Sequence, residues 1–295
     1  MQATDSALIR AMPAVFVLIW STGFIVARYG MPYAPPLTFL SWRYGFSIAC
    51  FLIWIGLAKV KWPTDRAQWL HLAVTGVLMH ACYLGGVWVA VKMGMGAGLS
   101  ALIVGLQPVL TALWLAHSGG HISRRQWLGL MLGFVGLILV VSRKFVHGHP
   151  GDSATWANVS VAVVALLGIT VGTRYQKRYV KPCDVRTANT VQLMAALLVS
   201  APLALLESEA VQVNGQLMAA MAWSVLALTL GGSSLLYMLI QRGAAASVTS
   251  LMYLVPPTTA FMAWALFHEP ITLSTVVGTA LTAFGVSLVV RSPKA

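Results

Sequence analysis

"AGLSALIVGLQPVLTA" (Ala97–Ala112) and "AASVTSLMYLVPPTTA" (Ala245–Ala260) are one pattern written twice. Leu106, Pro108, Thr111 and Ala112 of the first stretch match Leu254, Pro256, Thr259 and Ala260 of the second. After a one-residue gap the likeness continues, with "GLMLGFVGLILVV" (Gly129–Val141) answered by "GTALTAFGVSLVV" (Gly278–Val290). The offset, 148 and then 149 residues, is half of a 295-residue chain. The chain therefore reads as two copies of one unit, residues 1–148 and 149–295.

What each copy contains follows from composition. Hydrophobic residues make up 58% of the chain and charged residues 9%, against about 25% charged in a soluble domain. Apolar runs long enough to span a bilayer, about 20 residues each, lie near Ala11–Gly30, Leu37–Ala58, Trp69–Val91, Gly96–Ala116, Gln126–Ser142, Trp156–Gly172, Val185–Leu206, Gln216–Ile240, Ala244–Phe267 and Ile271–Val290. The expected fold is an all-α integral membrane protein of ten transmembrane helices, five per copy. Five is odd, so the second copy enters the membrane from the opposite side. Inverted repeats are the architecture of alternating-access transporters, whose substrate site lies between the repeats near the midplane.

The net charge of +12 is a topology signal rather than a nucleic-acid footprint. With a cytoplasmic N-terminus, fourteen Lys and Arg side chains fall on the cytoplasmic side. Only Arg28, Lys92, Arg143 and Lys144 fall on the other, and Arg43 lies within a span. This predicts cytoplasmic N- and C-termini in the cell's inner (plasma) membrane. The three cysteines show no disulfide or metal spacing. His117 and His121 in "HSGGH" lack a third ligand, and no cofactor or metal is expected.

Polar groups inside the spans are the candidate site residues. Arg43 sits ~9 Å below the outer end of its helix. It either snorkels or pairs with a carbonyl, or it faces a water-filled cavity and attracts a carboxylate with its planar fork. His80 is either a hydrogen-bonded structural residue or a cavity-lining donor, acceptor or proton carrier, and Tyr83 shares its face. Gln107 adjoins Pro108. Pro108 and the pair Pro256–Pro257 mark matched helix interruptions, which point to the binding site or a gate. Trp20, Tyr237 and Tyr253, with Trp88, Trp114 and Trp264, offer aromatic faces for packing or for a flat apolar ligand. Gly129, Gly133 and Gly136 form a small-residue face for close helix packing or for a dimer contact; a monomer is expected.

"IWSTGFIVARYGMPYAPPLTFLSWRYGFSIA" (Ile19–Ala49) and "FHEPITLSTVVGTALTAFGVSLVV" (Phe267–Val290) resemble the opening and the ninth-to-tenth-helix patterns of the drug/metabolite transporter superfamily, in its EamA-type ten-helix branch. The resemblance covers essentially the whole chain and looks closest to the aromatic amino-acid exporters. It implies export of neutral amino acids and related metabolites, not catalysis. The alternative within the superfamily is a multidrug or quaternary-amine exporter. The first span, "AVFVLIWSTGFIVARYG", lacks the membrane-embedded glutamate of the small multidrug proteins, which weakens that alternative.

Overall fold

Long apolar stretches of Leu, Ala, Val and Met favour helix, and in lipid a helix satisfies its own backbone. The computed structural model describes residues 2–117, 123–147, 149, 151–232, 235 and 254–290. Their regular elements are helices, with one isolated antiparallel bridge between His149 and Asp152. The helices are α1 (Gln2–Gly30), α2 (Pro36–Ala58), α3 (Arg66–Gly76), α4 (Gly85–Lys92), α5 (Ala97–Val104), α6 (Gln107–His117), α7 (Arg124–His147), α8 (Trp156–Tyr179), α9 (Val185–Ala204), α10 (Gly215–Trp223), α11 (Val255–Phe267) and α12 (Leu273–Val290). Between α3 and α4 the helix continues in π form over Val77–Leu84, and α10 continues likewise over Ser224–Gly232.

Seven helical stretches are long and apolar enough to cross a membrane, and shorter apolar helices cover Ala14–Gly30 and Leu273–Leu288. This is a multi-pass membrane protein. Its faces are sorted for that solvent. On α9, Thr187, Thr190, Gln192 and Ser200 are buried while Met194, Leu198, Val199 and Leu203 point outward. The inward hydroxyls of Thr187 and Thr190 bond back to the carbonyls of Asp184 and Arg186.

The described residues fall into two compact units: those within Met1–Ile25, Gly94–Thr155 and Ser234–Ala295, and those within Val26–Met93 and Trp156–Ser233. Each unit draws helices from both halves of the sequence. In the first, α7 packs most extensively on α12. Glycine permits that approach: a Cβ on Gly278 would come within 2.6 Å of the Gly136 carbonyl, and one on Gly285 within 2.6 Å of the Gly133 nitrogen. The glycine face is an internal seam. Thr282 closes it, donating to the carbonyls of Gly278 and Gly133.

The interruption expected at Pro108 and the acids between the helices both have a packing role. The fourth span is broken at Gly105–Leu106, ahead of Pro108, where Gly105 packs so tightly on Pro256 that a Cβ would lie 2.9 Å from its ring. Acids of the connecting segments are drawn into the fold. Glu269 is buried and accepts from the backbone N–H of Ala97 (3.0 Å) and Gly98 (3.5 Å), capping α5. Asp152 is buried in an ion pair with Lys144. Asp152 and Glu269 both crowd Gly96, where a Cβ would have no room.

In the second unit Glu207 caps α2, accepting from Leu37 N (3.0 Å), Thr38 N (2.8 Å) and the Thr38 hydroxyl (2.8 Å). Carboxylates at helix N-termini meet unsatisfied N–H groups and the positive end of the helix dipole, which is why these acids leave water.

Candidate functional site

The second unit holds the polar centre. Arg43 lies on the inward face of α2, 8% exposed. Its Nε and Nη2 donate to the Thr229 hydroxyl at 3.2 and 3.1 Å. Among the described residues its hydrogen bonds go to that hydroxyl rather than to a carbonyl. Thr229 belongs to the second π segment, and its hydroxyl donates in turn to the Ser224 carbonyl five residues back (2.9 Å). The widened π turn leaves that carbonyl accessible to a side chain.

The neighbouring residue makes the matching contact. Tyr44, fully buried, donates its hydroxyl to the His80 carbonyl at 2.8 Å. His80 lies in the first π segment, and its carbonyl also accepts from Gly85 N–H, five residues on. The His80 ring stands edge-on to Tyr44 with centroids 6.1 Å apart. Tyr44 and Tyr83 are the aromatic neighbours of the Arg43 charge, and His80 is close enough to feel it too. Gln192 of α9 is the side-chain hydrogen-bonding neighbour of His80. Its backbone is pressed against Gly76, where a Cβ would collide with it.

A buried guanidinium thus donates to a neutral hydroxyl, with two phenols and an imidazole close enough to feel its charge, and no described ion pair involves it. Such a group retains its charge and its appetite for an anion. Arg43, His80 and Tyr83 therefore come together, with Tyr44, Thr229 and Gln192 added. Sequence reading passed over these three, since a Thr or Gln in a span carries no flag of its own. The signal was present in the repeat, because Thr229 and Gln192 stand 149 residues after His80 and Arg43.

Trp20 packs on Phe16 with centroids 5.3 Å apart. Gln107, Pro108, Pro256 and Pro257 belong with Trp20 to the first unit. Trp88 is a core residue stacked on Phe39 at 4.5 Å, and Trp114 and Trp264 point outward. Tyr237, Tyr253 and His121 lie outside the described residues. Among the described residues no group of three His, Cys, Asp or Glu could hold a metal.

Comparison with known proteins gives the site its setting. The model of the EamA-like transporter family matches residues 11–142 and again 156–291. The chain belongs to the EamA-like transporter family. It is 25% identical over 189 residues to the inner membrane transporter YedA of Escherichia coli K12, a match over 64% of this chain and 59% of YedA. This chain therefore spans about six tenths of that relative's length. A Salmonella typhimurium protein named as a probable amino-acid metabolite efflux pump is 24% identical over 147 residues, covering 50% of this chain and 47% of the pump. A solved crystal structure shares the fold, with TM-score 0.66 at 15% identity over 95% of this chain and 97% of the other.

Proposed function

We propose that this transporter exports neutral, chiefly aromatic, amino acids and related metabolites by alternating access. In this reading ten helices form two inverted repeats, residues 1–148 and 149–295, with both termini cytoplasmic in the inner membrane. The observation that carries the substrate class is Arg43, a buried fork satisfied by a neutral hydroxyl and flanked by Tyr44, Tyr83 and His80. A ligand carboxylate offers that fork two charged acceptors where Thr229 offers one neutral oxygen, and charge-assisted pairs are about twice as strong. The phenols supply flat apolar surface for a side chain. The Salmonella pump's name supports the same class. A permanent cation at this site disfavours lipophilic cations, which argues against the multidrug alternative.

The test uses purified protein in liposomes loaded with labelled amino acids or with cationic dyes. Tryptophan, phenylalanine and tyrosine should leave faster than glycine, and dyes should remain. Preference for the dyes, or equal transport of tryptophan and glycine, would sink this assignment.

A further inference from the structure

α2 packs on the π segment that follows α10. Beside α10 itself the two helices leave an apolar groove of about 360 Å³. Side-chain spacing makes it straight. Leu217, Met221 and Val225, one stripe at four-residue intervals, are buried and form its floor. Met218 and Leu226 on the neighbouring stripe stand exposed as one wall, and Trp42 and Phe46, one turn apart on α2, as the other. From Val213 to Leu226 the lining runs ~20 Å at a helical rise of about 1.5 Å per residue. One leaflet of the hydrocarbon core is ~15 Å deep.

Both walls belong to membrane-spanning stretches, Pro36–Ala58 and Gly215–Gly232, so hydrocarbon rather than water surrounds the groove. An empty groove would forfeit dispersion contacts along its whole length. Lipid tails are as apolar as leucine, however, so packing alone selects no particular molecule from the bulk. Selection needs a polar end, and the groove has one. The Gln212 N–H donates to the Tyr33 carbonyl (2.8 Å), and the Tyr33 hydroxyl donates to Gln216 Oε1 (2.8 Å). These two glutamines adjoin Val213 and Leu217 of the groove. Lys92 joins the same corner, donating to the Met31 carbonyl at 2.9 Å and pairing with Glu209 at 2.6 Å. An ammonium has three N–H donors, so these contacts leave one for a phosphate. Glu209 is exposed, and its carboxylate has room to accept from a second ammonium.

We propose that the groove is a phospholipid site: one acyl chain lies along α10, the phosphate meets Lys92, and a primary ammonium in the headgroup meets Glu209. An ethanolamine headgroup carries both charges, whereas a glycerol headgroup lacks the ammonium. Trp42 and Phe46 flank Arg43 on α2, and Val225 and Leu226 belong to the π segment that carries Thr229. The bound chain therefore braces, from the lipid side, the two elements that Arg43 and Thr229 join. The site does not depend on which solute is exported.

The test places the full chain in nanodiscs containing a phosphatidylethanolamine with a diazirine in one acyl chain. After irradiation, adducts are located by mass spectrometry. Met218, Leu226 and Phe46 should be labelled roughly threefold to tenfold more than Leu198 and Phe284, which point outward on α9 and α12; that ratio corresponds to about one net hydrogen bond. Ala222→Trp, at an exposed position of the groove, should fill it and remove the excess, with melting temperature as the check on folding. Competition in the parent protein needs no variant. Unlabelled phosphatidylethanolamine should displace the probe better than phosphatidylglycerol, Glu209→Gln should erase that difference, and Lys92→Gln should weaken both competitors. Equal labelling of groove and control positions, or equal competition by the two lipids in the parent, would overturn the proposal. So would an excess that survives in folded Ala222→Trp, or groove residues that crosslink to a second copy of the chain.

Discussion

Arg43 is where one residue decides the chemistry. Its two donors reach a single oxygen at 3.2 and 3.1 Å, a geometry that a fork can make and an ammonium cannot. Arg43→Gln removes the charge-assisted bonds, worth ~1.5–3 kcal/mol, so KM for tryptophan should rise roughly tenfold to a hundredfold. Arg43→Lys should fall between the two. The decisive control is tryptophanamide, which lacks the carboxylate and should lose far less. Equal losses for acid and amide would make Arg43 a structural residue. Sequence alone exposed Arg43 because a guanidinium in an apolar run is costly. It did not expose Thr229, whose hydroxyl is ordinary in a span and whose partner lies 186 residues away.

Helices in this protein are tied at their ends by residues from distant loops, and that is what the apolar pattern could not convey. Runs of Leu, Val and Ala announced the spans; they gave no sign that Glu207 would cap α2 or Glu269 would cap α5, because hydropathy places an acid outside and stops there. Glu207→Ala strips Leu37, Thr38 and the Thr38 hydroxyl of one acceptor group. The cost should be ~1–2 kcal/mol, read as a lower melting temperature in detergent, with Glu207→Gln milder. The caps of α3 and α9 respond to acid. The hydrogen bond from Lys181 holds the Asp65 carboxyl below its usual range, and Arg186 does the same for Asp184. A carboxyl depressed in the fold adds stability above its unfolded pKa, near ~3.9, and loses it as pH falls through the folded value. Melting temperature should therefore drop below about pH 4, and Asp184→Asn should flatten that limb. An unchanged acid limb in Asp184→Asn would assign the drop to other groups.

At the scale of the whole molecule the sequence halves and the compact units do not coincide. The repeat was readable because Pro108 and Pro256 stand in matching stretches, yet each unit takes helices from both halves, a division that needs contacts between residues far apart in sequence. The consequence for energetics lies in the carboxylates. An ion-coupled carrier needs a group that can change charge as the transport state changes, or a set of oxygen ligands near the midplane. Here Glu207 and Glu269 are occupied with helix N-termini, Asp152 with Lys144, Asp65 with Lys181 and Asp184 with Arg186. Arg43 keeps its charge throughout. Within the polar centre His80 is the group whose ordinary pKa, ~6.5, would let it carry a proton at physiological pH, and it is already engaged with Tyr44 through its carbonyl and neighboured by Gln192. A zwitterionic amino acid carries no net charge, so the membrane potential neither drives nor opposes it. Export should accordingly run downhill, its direction set by the higher concentration inside the cell. Liposomes loaded with tryptophan and given no ion gradient should empty, and an imposed proton or sodium gradient should not concentrate tryptophan against its own. Uphill accumulation driven by a proton gradient and lost in His80→Ala would reverse this conclusion and make His80 the coupling residue.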